Sequence, residues 1–165
     1  MEIRYILPAD SRPAISRVYE KSWKYAYQGI IPQAYLDSIP EGRWADNLDR
    51  SGLHTLLCVD GGSIVGTSSF CRSRWAQYDG WGEVVSIYLL PDYMGKGLGR
   101  LLMNRTVWEL FQLGYPNIFL WVLEENTRAR AFYERFGFRQ TDDVLTDSIG
   151  NRNLREIRYA LQSGS

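Results

Sequence analysis

The stretch that most narrows the choice of fold is a strand over 82–90, ended by Pro91-Asp92, with Gly95-Lys96-Gly97-Leu98-Gly99-Arg100 opening a helix behind it. That helix has its apolar stripe at Leu102, Met103, Thr106, Val107, Leu110 and Leu113, at helical spacing. Small residues let a backbone approach a ligand closely, and the free N–H groups of a helix N-terminus point at an anion such as a pyrophosphate. The same glycines are also consistent with a corner that only tightens a strand-to-helix turn. Their spacing departs from the dinucleotide fingerprint, which needs glycine where Arg100 stands, and no phosphate-loop string ending in Gly-Lys-Ser/Thr exists in the chain.

Around this unit the order is mixed. Residues 2–7 form a short strand, and Asp10 is placed to cap a helix with Ala14, Ile15, Val18, Tyr19 and Ala26 on one face. The segment 29–50 breaks into short helices at Pro and Gly. A hairpin, Leu53 to Val59 and Ile64 to Cys71, turns at Gly61-Gly62. After the central helix, Gly114 and Pro116 precede a strand over 118–123, a helix over 127–136 closed by Gly137, and strands near 138–143 and 152–161. No repeat or linker interrupts 1–165, so one domain is expected.

Nineteen basic residues balance nineteen acidic ones, which leaves no global field for nucleic acid or an anionic membrane. No apolar run approaches a spanning length and the N-terminus lacks a leader pattern, so a cytoplasmic address is expected. A two-residue turn at Gly61-Gly62 pairs Cys58 with Val65 and Cys71 with Gly52. The thiols are then about 20 Å apart along the strands, against a disulfide limit of about 7 Å. His54 is the only histidine, so neither a metal site nor an acyl-cysteine relay finds its usual partners.

Met94-Gly95-Lys96-Gly97-Leu98-Gly99 resembles the pyrophosphate loop of the GNAT superfamily of acetyl-coenzyme A-dependent N-acetyltransferases, Gln/Arg-x-x-Gly-x-Gly/Ala, departing from it at Met94. The stretch from Leu120-Trp121-Val122-Leu123-Glu124-Glu125-Asn126 through Phe132-Tyr133-Glu134 to Gly137-Phe138 resembles the family's pantetheine-binding strand and helix. The likeness covers about residues 53 to 140. It implies an α+β fold, a mixed and mostly antiparallel sheet flanked by helices, with the strands at 82–90 and 118–123 splayed to form the cofactor cleft.

The same likeness implies acetyl-coenzyme A as co-substrate, no metal, and a small-molecule or peptide amine as acceptor; a homodimer is compatible with it. Backbone groups of Ile87, Tyr88 and Leu89 would pair with pantetheine amides, and Gly95, Lys96, Gly97, Leu98, Gly99 and Arg100 would cradle the pyrophosphate. One backbone donor at a carbonyl oxygen that gains charge is worth roughly 3 kcal/mol. Asn126 would contact the cofactor arm, and is equally placed to cap the helix at 127.

Acetyl transfer needs a neutral amine, whereas a lysine-like amine with pKa about 10.4 is protonated at neutral pH. Strand alternation puts Glu83 on the face of Val85, Ile87 and Leu89, where it would accept the proton directly or through water unless a bulge alters the facing. It also suits an exposed strand end. Some family members place a glutamate where this chain has Trp121, and Glu124 and Glu125 lie closer to the loop. Tyr133 matches the tyrosine that protonates the leaving thiolate, although helical spacing alone makes it a core aromatic. The expected reaction is sequential transfer without a covalent enzyme intermediate. A non-catalytic acyl-coenzyme A sensor would keep the cradle and need neither Glu83 nor Tyr133.

Overall fold

The computed structural model describes residues 1–163; Gly164 and Ser165 lie outside the described residues. In chain order the elements are β1 (Glu2–Tyr5), α1 (Arg12–Ala26), α2 (Gln33–Ser38), β2 (His54–Asp60), β3 (Ser63–Arg72), β4 (Gly82–Leu89), α3 (Leu98–Gln112), β5 (Asn117–Leu123), α4 (Thr127–Phe136), β6 (Arg139–Ile149) and β7 (Arg152–Gln162), with short 3-10 turns at Ala45–Asp49, Ala76–Tyr78 and Pro91–Tyr93. Seven strands form one sheet in the order β1-β2-β3-β4-β5-β7-β6. Only β4 and β5 run parallel, joined by α3. The expected mixed, mostly antiparallel sheet flanked by helices is the observed one.

Strand alternation divides the core between the two faces. Leu56 and Cys58 of β2, Ile118, Leu120 and Val122 of β5, and Ile157 and Tyr159 of β7 pack with Leu98, Leu102, Met103, Val107 and Leu110 of α3. Ala129, Phe132, Tyr133 and Phe136 of α4 rest against this layer. On the opposite face, Ile15 and Tyr19 of α1 meet Leu57, while Leu36 of α2 meets Leu123 and Leu154. The period-2 strands are thus covered on both sides by period-3.6 helices.

Four local expectations are corrected. Ser11, not Asp10, caps α1 by accepting from the Ala14 N–H at 3.2 Å. Asp10 instead takes two guanidinium bonds from Arg4, at 2.8 and 2.9 Å, and the Leu7 N–H at 2.7 Å, tying β1 to the start of α1. Leu113 ends the α3 stripe in solvent, 46% exposed. A bulge between Cys58 and Val59 pairs Cys58 with Gly66 rather than Val65, and Cys71 lies opposite Glu83 on β4. Both thiols are free and buried, and burial pushes Cys58 up to about 11.

The last two strands run longer than the sequence suggests. β6 continues through a register shift after Gln140 and turns into β7 at Gly150-Asn151, with φ of 59° and 66°. Two positive φ values in a two-residue loop match the right-handed twist of the strands. A Cβ on Gly150 would lie 2.7 Å from the Tyr35 Cβ, so the turn sits directly on the segment that opens α2.

The hydrogen bonds from Arg4 hold the Asp10 carboxyl down at about 2. A lowered carboxyl stabilises the fold above its unfolded value and loses that contribution as pH falls through its folded one. Asp10→Asn should therefore cost about 1.5 kcal/mol in urea unfolding at neutral pH. The deficit should narrow as the pH is taken from about 4 to about 2; a deficit independent of pH would contradict the role given to Asp10.

Candidate active site

The site is built on a strand pair that starts and then stops. β4 and β5 are paired at Gly82 with Ile118 and at Glu83 with Phe119, and at no later position. β4 bulges at the same place: Phe70 of β3 lies opposite Val84 and Ser69 opposite Ser86, so Val85 has no partner there. An extra residue bends its strand, which carries β4 away from β5. The main chain of both strands beyond this point presents to the gap N–H and C=O groups that no neighbouring strand uses.

The gap is a cleft of about 610 Å³ that reaches both faces of the sheet. On the α3–α4 side it is lined by Asn126, Ala129 and Tyr133. On the α1–α2 side it is lined by Trp23, Tyr27, Arg74, Trp75, Glu83 and Glu156. Ile87 and Tyr88 form the β4 wall between them.

The bulge also reverses the facing expected for Glu83. Val84, Ile87 and Leu89 pack with the α3 layer, while Ser86 is bonded to the Tyr19 hydroxyl and Tyr88 packs with α1. Glu83 therefore shares its face with Ser86 and Tyr88, on the α1 side, and not with Val85, Ile87 and Leu89. It is 1% exposed. Its Oε1 accepts from Arg74 N and Nε, each at 3.1 Å, and its Oε2 from Arg74 Nη2 at 2.7 Å. This is no exposed strand end.

Tyr133 packs its ring edge-on against Phe132 and Phe138, with centroids 5.5 and 6.1 Å away. Burial pushes its hydroxyl well up, with Tyr88 adding to the shift, so the phenol keeps its proton across the neutral range. Core packing and a proton-bearing hydroxyl in the cleft are present together. Asn126 caps α4, its Oδ1 accepting from the Ala129 N–H at 3.2 Å. The cap uses the carbonyl oxygen and leaves the amide NH₂ for the cleft it lines.

The glycine loop lies at the head of α3. Gly95, Lys96, Gly97 and Arg100 are exposed there, and Leu98 is buried beneath them. Gly97 is the N-cap, with φ of 85°, in the left-handed region. Gly99 faces the Phe132 ring, 3.6 Å from where a Cβ would stand. Arg100 lies over the Phe136 ring at 5.5 Å, and Met94, where the motif has Gln or Arg, packs on the core.

Of the other sequence candidates, Glu124 pairs with Arg155 and Glu125 with Arg152, each at 3.1 Å. Trp121 lies tilted against Trp75, with centroids 5.4 Å apart. Neither cysteine lines the cleft, and His54 stacks on Phe70. Sequence reasoning missed Arg74 and Glu156. Arg74 lies in a loop without periodicity, but Glu156 had a signal: it is a lone acid between Leu154 and Ile157 in an otherwise strand-like run.

The acetyltransferase (GNAT) family model matches residues 15–138. YuaI of Bacillus subtilis, an uncharacterized N-acetyltransferase, is 33% identical over 87% of this chain and 83% of its own length. The ribosomal protein bS18-alanine N-acetyltransferase of Haemophilus influenzae is 39% identical over 78% of this chain and 82% of its own. The PaiA N-acetyltransferase of Thermoplasma acidophilum, solved with coenzyme A, shares the fold with a TM-score of 0.78, at 20% identity over 98% of this chain and 99% of that one.

The two glycines of the loop should respond differently to alanine. Gly97→Ala forces an L-residue into left-handed backbone and should lose roughly 1–2 kcal/mol in urea unfolding. Gly99→Ala meets only ordinary contact and should unfold like the parent. Equal losses at both positions would contradict this geometry.

Proposed function

The chain belongs to the acetyltransferase (GNAT) family and is an acyltransferase, and from that premise we propose that it moves the acetyl group of acetyl-coenzyme A directly to a primary amine, both being bound at once. The observation that carries this reading is the passage between β4 and β5, open on one face beside Tyr133 and on the other beside Glu83 and Arg74. Two reactants can then enter from opposite sides and meet without a covalent relay. The described chain is read as one catalytic unit.

The residues present fit the co-substrate. Unused main-chain groups at Ile87 and Leu89 suit the pantetheine amides, those of Tyr88 being taken by the ladder with β3; the glycine-headed α3 suits the pyrophosphate, and the Asn126 amide suits the arm between them. The coenzyme A complex of the Thermoplasma neighbour supports the choice. Acetyl-coenzyme A supplies the activated thioester.

Main-chain N–H groups of β4 then stabilise charge on the acetyl oxygen as the carbon–nitrogen bond forms and the carbon–sulfur bond breaks. The ammonium nitrogen sheds two protons overall, one before attack and one as the amide forms. Tyr133 delivers one proton to the departing sulfur and is reprotonated, and the other proton leaves to solvent. Glu83 serves the first loss through water. Three of roughly four lone-pair positions on its carboxylate are filled by Arg74, and the remaining one, on Oε2, is free to hold a bridging water.

Tyr133→Phe keeps the ring and its packing, so it should melt like the parent while single-turnover acetyl transfer falls about 100-fold, equivalent to about 2.7 kcal/mol. Glu83→Gln should lower turnover with the affinity for acetyl-coenzyme A, measured by calorimetry, nearly intact. Parental single-turnover rates in a normally folded Tyr133→Phe variant would leave the hydroxyl without a role, and parental turnover in Glu83→Gln would do the same for the carboxylate.

A further inference from the structure

The carboxylates near the α1 mouth of the cleft are not equivalent. Glu83 is paired with Arg74, Glu124 and Glu125 are paired with arginines, and Asp147 lies exposed on β6. Glu156 differs from all of these. It sits on β7 opposite Leu123 of β5 and Leu145 of β6, on the face that carries Leu154 and Arg158. It is half-buried, lines the cleft, and among the described residues has no hydrogen-bond or ion-pair partner. Trp23, Tyr27 and Trp75 line the same mouth, with Trp23 and Tyr27 edge to face at 4.9 Å.

A half-buried carboxylate without a donor favours the approach of a cation. Partial burial strips some of its hydration, and an arriving N–H donor restores what is lost. An ammonium brings three donors, and aromatic faces beside it attract the charge while covering the carbons attached to it. We propose that Glu156 binds the acceptor: it holds the ammonium of a primary amine at the α1 mouth, with Trp23, Tyr27 and Trp75 around the apolar group next to the nitrogen. The acceptor class is therefore a cationic primary amine on an apolar or aromatic body, selected over amines that are neutral at the working pH. The inference rests on the direct-transfer reading above.

The surroundings agree with this placement. Burial pushes the Glu156 carboxyl up, Asp147 adds to the shift, and Arg74 opposes it. A carboxyl so placed stabilises the fold less once it ionises. Replacing it by glutamine should leave the melting temperature unchanged or higher.

The test is steady-state acetyl transfer from acetyl-coenzyme A to 2-phenylethylamine, which is cationic at neutral pH, and to aniline, which is neutral. In Glu156→Gln the KM for 2-phenylethylamine should rise at least about tenfold, or about 1.4 kcal/mol, with kcat not lowered, while transfer to aniline should be unaffected. Glu156→Asp keeps the charge and should recover part of the loss; it carries the same comparison if the glutamine variant folds poorly. An unchanged KM, a loss confined to kcat, or an equal loss with aniline overturns the assignment and leaves the direct-transfer reading standing. A parent protein that acetylates neither amine, nor any other in a primary-amine panel, overturns both.

Discussion

The rest of the molecule depends on one interrupted ladder. β4 and β5 are parallel neighbours for two residue pairs, and then the bulge at Val85 bends β4 away. A parallel pair in the middle of a seven-strand sheet would ordinarily be covered on both faces and closed to ligands. Here the pairing fails where helices cover both sides, so the opening is a passage through the sheet and not a groove on it. Main-chain groups that would cost free energy if buried unpaired stand at its walls. Tyr133 and Asn126 line one end of that passage, with Gly99 of α3 set beside Phe132 and Leu89, and Glu83, Arg74 and Glu156 line the other.

The passage is framed by packed elements on both faces. Leu102, Met103 and Leu110 of α3 are fully buried against β3, β4 and β5, fixing the crossover that separates the two strands. On the other face the β6–β7 turn rests on Tyr35, and Arg152 donates to the Ile30 carbonyl at 2.7 Å. That contact ties β7, and with it Glu156, to the segment between α1 and α2. The α1 end of the cleft is thus assembled from parts of the chain more than a hundred residues apart. Local periodicity could not have placed them together.

What the sequence made legible follows the same division. Elements with a clean period were readable, α4 at 127–136 and β4 and β5 nearly to the residue, because side-chain alternation and helical stripes are local properties. The glycine-headed helix and the helix that carries Tyr133 were readable because each follows its strand in one continuous stretch of the chain. The facing of Glu83 was not. Its inversion comes from one extra residue at Val85, in a run of β-branched residues with no glycine or proline to mark a bulge. Nor does any spacing announce that Arg74, nine residues before Glu83, folds back onto it, or that Glu156 is left without a partner. Those are properties of tertiary packing.

The central claim is that the parted strands offer unused backbone to an acetyl-coenzyme A arm, and amide hydrogen exchange tests it at the residues concerned. Exchange at the Ile87 and Leu89 amides of β4, which face the gap, and at 95–100 should slow on saturation with acetyl-coenzyme A, while amides of β1 and β2, remote from the cleft, keep their rates. Saturating cofactor that leaves β4 exchange unchanged, or that protects a different surface, would contradict the account.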